Sequence, residues 1–124
     1  MVASEHLVLR GLAKKLANQG FRVWIKKIRE RDLYGGMSNS SLLRALSPSG
    51  KVSITVRAYS RISVFRVTAR ITGSEYLSEL VDELEELGFN IIEEEGVVRA
   101  SMLSSENELL NMITAFLDTL EEYT

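Results

Sequence analysis

The sequence predicts a two-layer α+β domain in which helices pack on one face of an antiparallel five-stranded sheet, in the order α-β-β-β-α-β-β-α. Apolar residues recur at helical spacing in three segments and alternate with polar ones in five others. Each alternating segment has a single apolar side, so only one face of the sheet can be covered. A length of 124 residues, with 45% apolar and 26% charged residues, suits one hydrophobic core. One domain is therefore expected over residues 1–124.

The first helix is expected from Ser4, a good N-cap, to Asn18, with Leu9, Leu12, Ala13 and Leu16 on one stripe. Gly20 ends it, and residues 21–28 follow as a strand with Phe21, Val23 and Ile25 on one side. Residues 29–50 break the pattern with Gly35, Gly36, a run of Asn and Ser, and the only proline, Pro48. They are expected to form a long flexible loop with at most one helical turn through Leu42 to Leu46, the moving part of the molecule.

Two strands follow at 51–58 and 62–72, in which Val52, Ile54, Val56 and then Phe65, Val67, Ala69, Ile71 alternate with polar residues. Only Tyr59, Ser60 and Arg61 separate them, which predicts an antiparallel hairpin. A second helix is expected after Gly73, capped by Ser74 and closed by Gly88, with Leu77, Leu80, Val81, Leu84 and Leu87 as its stripe. Strands at 89–94 and 97–103 form a second hairpin around Glu95 and Gly96. The last helix opens with Ser105 and Glu108 at capping-box spacing and lays out Leu109, Met112, Ile113, Phe116 and Leu120. Leu110 and Leu117 form a second stripe on it.

Residues 12–27 and 80–95 align without gaps, each a helix end, a glycine, a phenylalanine and an alternating strand. Lys and Arg in the first copy are largely replaced by Asp and Glu in the second. The order of elements resembles the fold of the type III secretion chaperones and related proteins. The resemblance covers residues 4–122, is one of topology, and implies a small, often dimeric protein-binding domain. The insertion at 29–50 and the basic first half depart from it.

The net charge of −2 conceals a strong segregation. Residues 1–70 hold fourteen Lys and Arg against three acids, net +11, whereas residues 71–124 hold Arg99 alone against fourteen acids, net −13. Such asymmetry points to an interaction surface, an internal ion-pair system, or both. No cysteine is present, which removes disulfides, thiolate metal sites and cysteine nucleophiles. No long apolar run occurs, and Glu5, Arg10, Lys14 and Lys15 interrupt the N-terminal segment, so neither a membrane span nor export is expected and the cytoplasm is the default.

The only histidine, His6, has no second histidine or cysteine with which to build a metal site or triad. Residues 47–51 read Ser-Pro-Ser-Gly-Lys but lack the first glycine and the final Ser or Thr of a phosphate loop. The acidic runs read as solvated faces. Neither catalytic residues, nor a metal, nor a cofactor is expected.

What remains is the outward side of the sheet. If Phe21, Val23 and Ile25 face the core, Arg22, Trp24 and Lys26 face away, beside Arg57, Arg66 and Arg70 from the hairpin and Arg99 from the last strand. Cations for phosphates and a ring for base stacking are what a single-stranded DNA or RNA platform requires. Arg29 and Arg31, with Tyr34, are expected to close over the bound strand. Two other readings compete. Alternating Arg and Thr is ordinary solvent-facing sheet, and the acidic half can neutralise the basic one. The alternative function is a dimeric adaptor or chaperone-like module without a nucleic-acid role. Homodimerisation is expected through Leu110, Leu117 and Tyr123.

Overall fold

The computed structural model describes residues 2–31, 37–59, 64–73 and 77–123. Among these residues three helices and six strands follow one another as α1 (Val2–Asn18), β1 (Arg22–Arg31), β2 (Met37–Leu46), β3 (Val52–Tyr59), β4 (Val64–Thr72), α2 (Leu77–Glu86), β5 (Asn90–Glu94), β6 (Val97–Ser105) and α3 (Glu106–Tyr123). The strands form one antiparallel sheet in the order β1-β2-β3-β4-β6-β5. Among the described residues no helix is long and apolar enough to cross a membrane.

The α+β class and the helix-backed antiparallel sheet are as expected; the five-stranded count and the loop at 29–50 are not. β1 continues past Ile28 to Arg31, and β2 returns through the same stretch, from Arg31 opposite Met37 to Arg22 opposite Leu46. Local composition there favours turns and a short helix. It is overridden by a ten-pair ladder to β1, a second ladder to β3, and complete burial of Leu43 with near-complete burial of Ala45.

The helices share one face. α1 lies on β1 and β2, α2 on β5 and β6, and α3 lies between them against β4 and β6 while touching both other helices. Into this layer the sheet sends Leu43 and Ala45, then Val52, Ile54, Val56 and Ala58, then Phe65, Val67, Ala69 and Ile71, with Val98 and Ala100, all buried. From the other side come Leu9, Leu12 and Leu16, then Leu80 and Leu84, then Leu109, Ile113, Phe116 and Leu120. Phe116 meets Phe89 with ring centroids 5.5 Å apart at 46°, a tilted aromatic contact.

The internal echo has a structural counterpart. After α1, the Gly20 amide donates to Ala17 O at 2.9 Å and the Phe21 amide to Leu16 O at 3.1 Å; after α2, Gly88 donates to Glu85 O at 3.0 Å and Phe89 to Leu84 O at 3.1 Å. Both are Schellman caps that need a left-handed residue, supplied by Gly20 at φ 90° and Gly88 at φ 104°. Each cap launches an edge strand, β1 on one side of the sheet and β5 on the other.

Candidate nucleic-acid interface

Strand pairing sets which side chains stand together on the uncovered face. One row across the strands reads Arg22, Leu46, Ser53, Arg70, Arg99, Ile92; the next reads Trp24, Arg44, Thr55, Thr68, Ser101, Asn90; the third reads Lys26, Leu42, Arg57, Arg66, Leu103. With strands about 4.8 Å apart, the face from β1 to β6 is roughly 19 Å wide. Arg22, Lys26, Arg44, Arg66, Arg70 and Arg99 are exposed on it, and Arg57 is half-buried.

Among the described residues no carboxylate lies within ion-pair distance of those six exposed cations. Most acids of the second half sit elsewhere: Glu79, Asp82, Glu83, Glu85 and Glu86 on α2, Glu93 on the helix side of β5 by parity, Glu95 in the turn after it, and Glu106, Glu108, Asp118, Glu121 and Glu122 on α3. Glu94 alone shares the parity of Asn90 and Ile92 and stands on the outer face at the β5 edge, one row from Arg99. The register goes further, setting Arg57 directly opposite Arg66 and Arg70 directly opposite Arg99. Like charges directly across a ladder destabilise a sheet.

Trp24 is 51% exposed. The Arg22 guanidinium carbon lies 5.5 Å from its ring centroid, within cation-π range. Beside it runs a groove of about 540 Å³, lined by Trp24, Lys26, Leu42, Arg44, Leu46 and Ser53, with Ile25 and Ala45.

The pairing thus brings together Arg22, Trp24, Lys26, Arg57, Arg66, Arg70 and Arg99, and leaves others out. Arg29, opposite Asn39, has the parity of Val23 and Ile25 and belongs to the helix side of the sheet. Arg31, opposite Met37, shares that parity, and its side chain lies outside the described residues, as do those of His6 and Tyr123 and all of Tyr34. Neither arginine's position in the ladder puts it over the outer face. Leu110 is 50% exposed as the dimer expectation requires, but Leu117 is only 8% exposed and belongs to the core. The expected second stripe on α3 is therefore not a continuous outward surface.

Reading the sequence missed Leu42, Arg44 and Leu46, all on β2. One signal could have found them: Ser41, Leu43, Ala45 and Ser47 keep period two, and Pro48-Ser49-Gly50 is a turn sequence leading straight into β3. The turn is held by Ser47, whose Oγ accepts from the Val52 amide at 3.1 Å while its own amide donates to Val52 O at 2.9 Å. Among the described residues no three His, Asp or Glu side chains converge as metal ligands. No family model, curated protein or solved structure matches this chain.

Proposed function

We propose that this protein is a non-enzymatic binding protein that holds single-stranded nucleic acid across the outer face of its sheet. The observation that carries the reading is the opposition of Arg70 and Arg99, two exposed arginines at directly paired positions, neither within ion-pair distance of a carboxylate among the described residues. An arrangement that costs fold stability is explained by a ligand that supplies the missing negative charge. A phosphate backbone does so at several positions at once, and Arg22, Lys26, Arg44 and Arg66 extend the row of counter-charges across the face. Serine and threonine hydroxyls between them can donate to phosphate oxygens, and Trp24 offers a ring to an unpaired base.

The test is a salt titration of binding to a short fluorescently labelled single strand. With about five phosphate contacts, log affinity should fall against log salt with a slope near −3.5. A chain that does not bind at low salt refutes the proposal.

A protein-contact reading is favoured by Ile92 at 63% and Leu103 at 58% exposure, which place apolar surface on the β5-β6 side of the same face. It accords with the adaptor or chaperone-like alternative. It predicts an oligomer or captured partner that survives high salt, since apolar contacts are not screened.

A further inference from the structure

The groove beside Trp24 differs in kind from the rest of the face. Arg66, Arg70 and Arg99 stand as exposed charges on β4 and β6, whereas the groove has an apolar lining, an aromatic side and a charged rim. Leu42 and Leu46 are half-buried within it, Trp24 bounds it, and Arg44, Lys26 and Ser53 stand around it. Its volume of about 540 Å³ falls within the range of small-molecule sites. Arg22 stacks on Trp24 yet is not among the groove's lining residues. The indole thus meets a cation that lies outside the groove while itself lining the groove.

An occupant must offer a flat apolar surface to Trp24 and the leucines, and negative charge to Arg44, which stands directly opposite Trp24 in the ladder. We propose that the groove is a seat for a single nucleotide, its base stacked on Trp24 and its phosphate on Arg44 and Lys26. The inference rests on the nucleic-acid reading for its choice of ligand, and it adds that one position along a strand is read by stacking while the others are held by charge alone. The same chemistry is offered by a free nucleotide and by one residue of a strand.

Trp24 is the only tryptophan, so its fluorescence reports the groove directly. Adenosine and uridine monophosphate, a 12-nucleotide single strand, the same strand with every base removed, and a capped acidic peptide containing phenylalanine are titrated against the full chain. The expected result is saturable quenching by the monophosphates and the intact strand, with at least fivefold weaker binding of the abasic strand. Arg44→Gln, a change at an exposed position, should weaken the monophosphates about tenfold and leave unphosphorylated adenosine unchanged. Quenching by monophosphates without strand binding keeps the seat and overturns the nucleic-acid reading. Intact and abasic strands binding alike overturns the seat and leaves the charged face standing. Quenching by the acidic peptide and not by nucleotides also overturns the seat.

Discussion

The guanidinium carbon of Arg22 lies 5.5 Å from the centroid of the Trp24 ring, two positions away on the same face of β1. A cation stacked on an exposed indole fixes the ring's orientation at an edge strand, where no further strand would do so. Arg22→Ala should shift Trp24 emission to the red and lower its fluorescence anisotropy. Strand affinity should fall about two- to fivefold beyond the loss expected for one phosphate contact, since an exposed cation-π pair is worth roughly 0.5–1 kcal/mol. Arg22→Lys, which keeps charge but not the planar stack, should restore the salt slope more fully than the emission spectrum.

Arg70 and Arg99 face each other across β4 and β6. Arg70→Thr should therefore raise stability to urea, by a few tenths to about 1 kcal/mol, while weakening the strand complex. Opposite signs on the two axes distinguish a functional cation from a structural one. A destabilised variant with unchanged binding would show that Arg70 serves the fold.

Leu43 is fully buried. Leu43→Ala should cost about 2–5 kcal/mol in urea denaturation, the range for deleting a core leucine side chain. Leu42→Ser, on the opposite side of the same strand, should cost under about 1 kcal/mol and instead weaken nucleotide quenching of Trp24.

That contrast explains what could be read from the sequence. β3 and β4 were legible because Val52, Ile54, Val56 and Phe65, Val67, Ala69, Ile71 keep one side apolar and the other polar. α2 and α3 were legible from their leucine spacing, and the glycine-phenylalanine connections from Gly20 and Gly88. β2 was hidden because Leu42 and Leu46 make its outward side apolar as well, so Leu42 to Leu46 has no period-two contrast and reads as a helical turn. The residues that line the groove are thus the ones that concealed the strand. The outer-face cations on β1, β3, β4 and β6 followed from parity, and Arg44 did not, because its strand was unseen. Arg29 was misplaced by reading it as loop when β1 carries it, in register, to the helix side. Leu117 was misplaced because helical spacing alone does not show how far α3 sinks between α1 and α2.

Gly20 and Gly88 both adopt left-handed backbone, but their surroundings differ. A Cβ at Gly20 would lie 3.2 Å from Pro48 Cγ, whereas at Gly88 the nearest atom would be Met102 Cε at 3.7 Å. Gly88→Ala should cost about 1–2 kcal/mol from backbone strain alone. Gly20→Ala should cost more, because it also pushes on the turn that joins β2 to β3. Urea denaturation of the two variants in parallel checks the order.

The two edge strands bear opposite charge, β1 through Arg22, Lys26, Lys27 and Arg29 and β5 through Glu93 and Glu94. Among the described residues neither edge carries a proline, so the unpaired backbone is guarded by charge instead. When two molecules meet first edge to first edge, or last to last, edges of the same net charge face each other. That safeguard reaches only as far as the ionic atmosphere allows, about 10 Å at 0.1 M salt and about 3 Å at 1 M. Brine that strips a bound strand from the sheet would therefore also remove the repulsion that keeps like edges of neighbouring molecules from zipping together.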